Sequence, residues 1–321
     1  MNSRLCDLLG IRYPVMQGGM QWLATPELAA AVSNAGGLGT MNSSLYQSGE
    51  QLEDAIRRLR SLTDKPFCVN ISMLPNATAG ELVPDFIDAV CRARVPVVEL
   101  SGRDPKEFVP RLHDAGAKVI HKSTAVRFAR KAVLAGVDAI SIVGFECAGH
   151  PGMDDVTTLC LIPVVADAYP DIPLIAGGGI CDSRTYLAAR CLGADGVVMG
   201  TRFAAAKECP LHENFRQLMI QADERSTGIV QRSIRNAARD YKNAPICELM
   251  ELEARSAPTL EQVLTYTSGK RQKVAYETGD VDGGAFPLGQ CVGSVRSILS
   301  CQEIIDEIAA GSERLLQALS R

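Results

Sequence analysis

The sequence predicts an α/β fold, a (β/α)8 TIM barrel, on the basis of two observations. Between residues 14 and 199, short apolar runs bounded by Gly or Pro alternate with longer amphipathic runs. Such alternation is typical of parallel sheets whose strands are joined by helices. It yields eight strand candidates, and eight parallel strands close a barrel. A doubly wound open sheet is the alternative, but it usually has fewer strands and a less regular alternation.

The strand candidates are short runs rich in apolar residues, as expected for buried strands. They cover residues 14–17, 37–40, 67–71, 95–100, 118–121, 138–143, 172–176 and 195–199. The amphipathic runs between them predict seven helices, at residues 26–35, 49–62, 84–94, 105–115, 124–135, 156–169 and 182–192. Only the helix after the eighth strand is missing from its expected place.

The regular alternation ends after residue 203. Residues 211–279 are rich in Arg, Glu, Ala and Leu and predict a long helical region, which we interpret as a helical insertion after strand 8. A glycine-rich connector follows at 279–287, and residues 289–299 are expected to supply the closing helix. The predicted organisation is a barrel formed by residues 1–210 and 287–321, with residues 211–286 packed over its mouth.

The composition predicts a soluble, cytoplasmic protein without nucleic-acid or membrane partners. The formal charge is −4 with a pI near 5.7, and no long basic run is present. No apolar stretch reaches the roughly 18 residues of a membrane span, and the acidic, weakly apolar N-terminus does not resemble a signal peptide. The eleven cysteines include no Cys-x-x-Cys pair, which indicates reduced thiols and no metal site.

In such a barrel the chemistry is expected at the carboxyl ends of the strands, and one loop there carries a histidine. Residues 144–152 follow the sixth strand and contain three glycines, a proline and His150. A backbone without bulky side chains can lie close against a flat cofactor, and histidine suits proton transfer near neutral pH. The loop alone leaves two interpretations open: a catalytic histidine, and a structural histidine in a tight turn.

Two glycine-rich turns follow the last two strands, where (β/α) barrels commonly bind phosphate. Their residues are Gly177, Gly178 and Gly179 after the seventh strand, and Gly200 and Thr201 after the eighth. Glycines that merely permit tight turns are the alternative, but two such turns side by side favour a phosphate site. Lys122, at the end of the fifth strand, is expected to face the same mouth, with a solvated lysine as the alternative.

Four further residues near this site have open interpretations. Arg235 and Arg239 face either the mouth or solvent, and we favour solvent. Glu146 either orients the histidine loop or lies free on the surface. Cys147 is close to His150 in sequence, but neighbouring loop residues rarely point the same way, so we do not expect a Cys–His nucleophile.

Three motifs together resemble the nitronate monooxygenase (former 2-nitropropane dioxygenase) family. They are Pro-Val-Met-Gln-Gly-Gly-Met-Gln at 14–21, Glu-Cys-Ala-Gly-His-Pro-Gly at 146–152 and Gly-Thr-Arg-Phe at 200–203. The likeness extends over nearly the whole chain, including residues 223–227 and 232–236, and is greatest to the FMN-dependent NADH:quinone reductase branch. The same superfamily includes FMN-dependent enoyl-acyl-carrier reductases and flavin enzymes that act on CoA thioesters.

The resemblance implies an FMN cofactor held at the barrel mouth. Beneath the ring it implies Gly19, Met20 and Gln21. At the isoalloxazine or its side chain it implies Ser72 and Lys122, with Ala148 close by. At the phosphate it implies Gly177, Gly178, Gly179, Gly200 and Thr201. His150 occupies the position of the family's active-site histidine.

The activity expected first is reduction of a quinone or enone-type acceptor by NADH or NADPH through the flavin. The alternatives are oxidation of alkyl nitronates with O2, flavin chemistry on an enoyl or CoA thioester, and a non-enzymatic barrel that binds a phosphorylated metabolite. Two mouth loops, at residues 42–49 and 179–184, depart from the quinone reductase pattern. The expected partner is a small-molecule substrate, and family habit suggests a homo-oligomer.

Overall fold

A computed structural model describes residues 3–73 and 82–320, and its central feature is an eight-stranded parallel sheet. The strands follow the spatial order β1-β8-β7-β6-β5-β4-β3-β2. Their bounds are β1 Val15–Gln17, β2 Gly39–Asn42, β3 Phe67–Ser72, β4 Val97–Ser101, β5 Lys118–Ser123, β6 Ala139–Val143, β7 Leu174–Gly177 and β8 Gly196–Met199. All eight predicted strands are confirmed.

The first and second strands close the sheet into a barrel. Met16 and Leu38 form a parallel bridge. The Gln17 N–H donates to the Leu38 carbonyl at 3.0 Å, and the Leu38 N–H donates to the Val15 carbonyl at 2.9 Å. The predicted TIM barrel is therefore confirmed.

The barrel helices lie between the strands as predicted. Helix α1, Arg4–Leu9, precedes the first strand, and its Leu5 and Leu9 belong to the apolar cluster inside the barrel. The seven helices between strands are α2 Pro26–Asn34, α3 Gly49–Leu62, α4 Val83–Arg92, α5 Val109–Asp114, α6 Val126–Ala135, α7 Thr158–Ala168 and α8 Ser183–Cys191.

The closing helix lies further along the chain than predicted. The prediction for residues 289–299 was wrong, because that segment contains only a 3-10 helix at Gln290–Ser294. The closing helix is α14, Cys301–Leu319, which packs against α8 and α2. Ser300 and Glu303 form a capping box at its start, so the chain itself marks where this helix begins.

The segment between the eighth strand and α14 is mixed rather than purely helical. Helix α9, Thr201–Ala204, follows β8 directly. Further on lie α10 Glu213–Gln221, β9 Thr227–Val230, β10 Ala238–Tyr241, α11 Ala244–Arg255, α12 Leu260–Thr267 and α13 Gly269–Thr278. Strands β9 and β10 pair antiparallel, a hairpin that the predicted helical region did not contain.

The main hydrophobic core passes from the barrel into this segment. Phe215, Tyr276 and Phe286 pack edge to face, with ring centroids 4.9 to 5.8 Å apart. They belong to the same buried cluster as Met199 and Phe203 at the eighth strand. The segment is thus anchored on the barrel by shared apolar side chains.

Side chains inside the barrel change from apolar to polar toward the mouth. The inner apolar cluster takes one residue from each strand region, namely Met16, Leu38, Cys68, Val97, Ile120, Ala139, Ile175 and Val198. Because strand side chains alternate between faces, the residues two positions further along share the interior. These residues are Gly18, Thr40, Asn70, Glu99, Lys122, Ser141, Gly177 and Gly200. A layer of glycines and polar groups therefore faces the mouth.

In the described part of the chain, no helix combines the length and the apolar character needed to cross a bilayer.

Candidate active site

The loop after β1 rests on polar side chains of the barrel interior. A Cβ added to Gly19 would lie 2.6 Å from Asn70 Cβ, so only glycine allows this close approach. The Asn42 amide donates to the Gly19 carbonyl at 3.0 Å. The Asn70 amide donates to Glu99 Oε2 at 2.6 Å. The loop that carries Gly19, Met20 and Gln21 is thereby supported from below.

The turns after β7 and β8 expose backbone N–H groups at the mouth. Gly178 and Gly179 have φ values of +93° and +74°, a conformation that favours glycine. The N–H groups of Gly178, Gly179 and Gly200 donate no hydrogen bond to any of the described residues. A Cβ on Gly200 would meet no atom closer than Met20, at 3.9 Å. Free N–H groups beside open space are suited to an anion.

Glu146 orients the histidine loop, which settles the two interpretations of this residue. Its Oε2 accepts from the Thr158 N–H at 2.9 Å and from the Thr158 hydroxyl at 2.8 Å. The same hydroxyl lies 2.9 Å from the Gly178 carbonyl. Since Thr158 begins α7, this contact joins the loop after β6 to the glycine turn after β7.

The β9–β10 hairpin of the inserted segment contacts the same loop, chiefly through Arg239. Arg239 is 2% exposed, so our preference for a solvent-facing arginine was wrong. Its Nε and Nη2 donate to the Phe145 carbonyl at 3.2 and 3.0 Å, and its guanidinium lies 4.5 Å from the Phe145 ring centroid. Gly149 and Arg239 also exchange backbone hydrogen bonds, at 3.1 and 2.6 Å. Arg235, by contrast, is exposed.

Among the described residues, the His150 ring forms a hydrogen bond with one side chain, that of Asn236 in the turn between β9 and β10. The Asn236 amide nitrogen lies 3.1 Å from His150 Nε2. The surrounding protein and the charge of Lys122 lower the pKa of His150 to about 4. Solvent still reaches the ring, and a pKa below the ordinary histidine value of about 6.5 leaves His150 neutral at pH 7. Sequence reasoning did not single out Asn236.

The Cys147 thiol of this loop is a poor nucleophile. Burial raises the pKa of Cys147 to about 12, so the thiolate needed for nucleophilic attack is scarce at neutral pH. No described cluster of His, Cys, Asp and Glu could hold a metal ion.

The other predicted residues lie around the same mouth, and one of them, Gln21, also reaches toward the inserted segment. Ser72 ends β3, Lys122 lies one residue before the end of β5, and both are half-buried. Ala148 lies in the histidine loop, and its N–H is among the atoms closest to Gly289. Gln21 is exposed, and its amide reaches Gly269 at the start of α13.

The His121 imidazole points away from the mouth. Its two nitrogens lie 3.0 Å from the Ser123 hydroxyl and 3.1 Å from the Arg103 carbonyl. These contacts satisfy the ring, which agrees with a structural histidine.

The donors present fit a flavin mononucleotide. Free glycine N–H groups suit its phosphate, and the open space beside Gly200 leaves room for a bound group at the mouth. Thr40 Oγ1, Glu99 Oε1 and Ser141 Oγ, in the polar layer beneath the mouth, are buried without a hydrogen-bond partner among the described residues. Buried polar atoms without partners are uncommon in complete sites.

The nitronate monooxygenase family profile matches residues 2–311. The chain belongs to this family. The resemblance read from the three motifs is thus confirmed, and the protein is a flavin-dependent oxidoreductase.

Individual relatives cover between 78% and 100% of the chain. The "(3aS,4S,5R,7aS)-5-hydroxy-7a-methyl-1-oxo-octahydro-1H-indene-4-carboxyl-CoA dehydrogenase" of Mycobacterium tuberculosis is 31% identical, over 100% of this chain and 98% of its own length. A probable nitronate monooxygenase of Staphylococcus aureus is 33% identical, over 78% of this chain and 81% of its own. The structure of FabK from Thermotoga maritima is 34% identical, with a TM-score of 0.91 over 100% of this chain and 99% of that one.

Proposed function

We propose that this member of the family binds FMN and uses NADH or NADPH to reduce a quinone or enone-type acceptor. The observation that carries the proposal is a mouth that combines free N–H groups of Gly178, Gly179 and Gly200 with half-buried Lys122 and with His150, whose ring contacts Asn236. FMN, when bound, supplies the redox chemistry, and the protein supplies binding, orientation and electrostatics.

In this proposal the chain's backbone and side chains hold the cofactor. Gly177, Gly178, Gly179, Gly200 and Thr201 bind the phosphate through N–H groups and the Thr201 hydroxyl. Gly19, Met20 and Gln21 lie beneath the ring, with Ser72, Lys122 and Ala148 at its edge. Thr201 Oγ1 already accepts from the Gly289 N–H at 3.0 Å, so its hydroxyl proton is available for an anion.

His150 acts on the acceptor as a hydrogen-bond donor. A neutral imidazole donates one N–H to the carbonyl oxygen of a quinone or enone, and this bond strengthens as negative charge develops on the oxygen. Lys122 adds positive charge to the same mouth. Among the described residues, no carboxylate forms a hydrogen bond with the ring, so nothing on the protein competes for that N–H group as a charged acceptor.

Oxidation of nitronates is the second candidate, and the Staphylococcus aureus relative favours it. In that reaction the histidine would serve as a base or as a cationic partner for the anionic substrate. A lowered pKa weakens the cationic role, because the imidazole is seldom charged at pH 7, and a nitronate is already deprotonated and needs no base to remove a carbon-bound proton. We therefore rank carbonyl-conjugated acceptors first.

An enoyl thioester is the third acceptor class, and the Mycobacterium tuberculosis relative favours it because its name specifies a carboxyl-CoA compound. The thioester carbonyl can accept the same hydrogen bond from His150. We also propose that residues 211–286 form the rim that encloses the acceptor, since Asn236 and Arg239 contact the histidine loop from that side.

The deciding experiment is anaerobic stopped-flow mixing of the purified yellow protein with NADH, NADPH or propionate 3-nitronate. We expect a nicotinamide to bleach the flavin absorbance rapidly, and a quinone, an enone or an enoyl-CoA ester then to restore it. Bleaching by the nitronate alone would instead assign nitronate oxidation. A colourless protein that binds no added FMN would contradict the cofactor itself.

His150 is tested in the second half of that experiment. We expect His150→Ala to slow reoxidation by the acceptor about 100- to 1,000-fold, the usual effect of losing one oxyanion donor. Flavin content and the rate of reduction by NADH should change little. His150→Gln, which retains an N–H donor, should recover part of the loss.

A further inference from the structure

We propose that Asn236 is a positioning residue that fixes the tautomer of His150, so that Nδ1 carries the proton and Nε2 does not. This rests on the proposed function only for its catalytic consequence, since the tautomer exists without a substrate. Asn236 lies in the turn between β9 and β10, and nothing else in the described chain forms a hydrogen bond with the His150 ring.

The orientation of the Asn236 amide determines which nitrogen is protonated. Its Nδ2 lies 3.1 Å from His150 Nε2 and 3.3 Å from Gln231 Oε1. An amide nitrogen has two hydrogens and no acceptor capacity, so it donates one to each partner. The bond to the ring therefore uses the lone pair of Nε2, and a neutral imidazole must then bear its hydrogen on Nδ1.

The turn that carries Asn236 is rigidly held. The Asn236 N–H donates to the Gln231 carbonyl at 3.1 Å. Glu253 of α11 accepts from the N–H of Gln231 at 2.9 Å, and from the N–H and hydroxyl of Ser233 at 3.0 and 2.6 Å. One carboxylate thus fixes the first half of the turn, and Asn236 is bonded to Gln231 in that half, which pre-organises the amide before substrate binds.

Burial and then the charge of Lys122 lower the pKa of His150, and the nearby carboxylates do not oppose this, so the tautomer is the property that a neighbour can set. Lys122, from β5, is the nearby charge that disfavours the imidazolium. Asp155, in the loop that follows His150, pairs with Arg232 at 2.7 Å. Glu146 is engaged by Thr158. These carboxylates are thus committed to other partners.

The consequence is directional. With Nε2 occupied by Asn236, only Nδ1–H remains to donate a hydrogen bond to the oxygen of an acceptor. Without the bond from Asn236, part of the His150 population would carry its proton on Nε2 and would present the lone pair of Nδ1 to that oxygen instead. Asn236 therefore contributes by removing the unproductive tautomer, without touching the substrate.

The test is ¹H–¹⁵N NMR on the flavin-loaded protein with ¹⁵N-labelled histidine, recorded without substrate. The chain has four histidines, and comparison with His150→Ala assigns the signal. We expect wild-type His150 to show the Nδ1–H pattern at pH 7. An Nε2–H pattern, which arises if the amides of Asn236 and Gln231 are both turned around, would overturn the proposal.

Two variants of Asn236 and one control sharpen the result. Asn236→Leu should leave a mixture of tautomers, whereas Asn236→Asp, whose carboxylate accepts from Nε2–H, should reverse the tautomer and raise the pKa of His150 by about 1–3 units. Arg235→Ala, an exposed change in the same turn, should alter neither. An unchanged NMR pattern in Asn236→Leu would also contradict the proposal.

Kinetics separate this inference from the proposed function. If an enone or quinone is the acceptor, Asn236→Leu should lower kcat by about 10-fold with little change in KM. If no such acceptor is reduced while the NMR pattern behaves as expected, the proposed function fails and the tautomer assignment stands. If acceptors are reduced but the tautomer does not respond to residue 236, only the assignment fails.

Discussion

The barrel presents backbone atoms to the mouth, whereas the segment between residues 211 and 286 reaches it with long side chains. On the barrel side, Gly178 and Gly200 leave N–H groups exposed, and their positions follow from the strands that precede them. On the other side, Arg239 and Asn236 reach across to the histidine loop. The first half of the site therefore depends on the space at each glycine, and the second on a few buried polar contacts.

The two regions also differ in the hydrogen bonds that their buried carboxyl groups accept. Glu99 inside the barrel accepts from Asn70 at 2.6 Å. Asp240 in β10 is 1% exposed, and its Oδ1 has no hydrogen-bond partner among the described residues. A buried carboxyl without a partner is costly when ionised. Glu99 thus has one donor, on Oε2, although its Oε1 has none, whereas no described residue donates to the Asp240 side chain, which is retained at a cost in stability.

The largest effect is expected from Gly178→Ala, which attacks the backbone half of the site. At φ +93° an added Cβ would lie 2.8 Å from Thr158 Oγ1 and 3.0 Å from the Gly144 carbonyl. Strain and overlap together should cost about 3–4 kcal/mol and expel the flavin. Flavin absorbance per protein and urea unfolding measure both effects.

Gly136→Ala is the matched control. Gly136 ends α6 at φ +87°, but a Cβ there would meet nothing within 4 Å. Only the conformational cost of about 1 kcal/mol should appear, with full flavin content. Equal flavin content in the two variants would show that the space around Gly178 is unimportant.

Arg239→Met should have the next largest effect and attacks the side-chain half. Methionine fills similar space but leaves the Phe145 carbonyl and the Thr227 hydroxyl without their donor. We expect a loss of about 2–3 kcal/mol in the free energy of unfolding and a higher KM for the acceptor, because the histidine loop loosens. Arg239→Lys should not restore the paired donation to Phe145.

Exposed Arg235 provides the control for this variant. Arg235→Ala removes a charge from the same hairpin without a buried contact, so the unfolding free energy should stay within about 0.5 kcal/mol of wild type. If Arg235→Ala and Arg239→Met are equally mild, the hairpin does not hold the loop through Arg239.

The same division explains what the sequence could predict. The strands and the turns at Gly177 and Gly200 were predictable because they depend on local patterns, namely apolar runs and the glycines that end them. Strands β9 and β10 have four residues each. They lie within residues 211–279, where the content of Arg, Glu, Ala and Leu favoured helix. Strand β10 also bridges to Gly149 and Pro287, which are distant in sequence.

Arg239 shows why the remaining half was misjudged. An arginine is mostly exposed in proteins, and only the tertiary fold supplies the carbonyl and the ring that bury this one. For α14 a signal was available, since Ser300 and Glu303 have capping-box spacing and Gly289 and Gly293 interrupt the segment chosen instead. For Asn236 no local signal exists, because its partner is His150.

Asp240→Asn should have a smaller effect and an opposite sign. Burial raises the pKa of Asp240 to about 7, whereas the unfolded value is about 3.9. The folded state therefore binds the extra proton between these values, and stability falls as pH rises from about 4 to 7. Asparagine cannot ionise, so the variant should be more stable than wild type at pH 8.

The expected gain is on the order of 1–2 kcal/mol, because the amide also lacks a partner, and it should shrink toward pH 5. Urea unfolding at the two pH values measures it. The control is Asp114→Asn, at an exposed site, which should leave the free energy of unfolding within about 0.5 kcal/mol of wild type. A gain for Asp240→Asn that is equal at both pH values would show that Asp240 does not titrate in this range.

The smallest effect is expected in the pH profile of His150. Its pKa is lowered to about 4, so the rate of acceptor reduction should be nearly flat between about pH 6 and pH 8, across the ordinary histidine value of about 6.5.

The same pKa shift affects stability. Below about pH 6.5 the unfolded chain is protonated at His150, whereas the folded chain stays unprotonated down to about pH 4. Its contribution to stability therefore falls as pH decreases from about 6.5 to 4 and is constant above that window. His150→Gln should remove this dependence while leaving the Asp240 dependence in place. A rate inflection near pH 6.5 that disappears in His150→Gln would mean that the ring is charged during turnover. Oxidation of nitronates, in which His150 would be a cationic partner of the substrate, would then become the first candidate function.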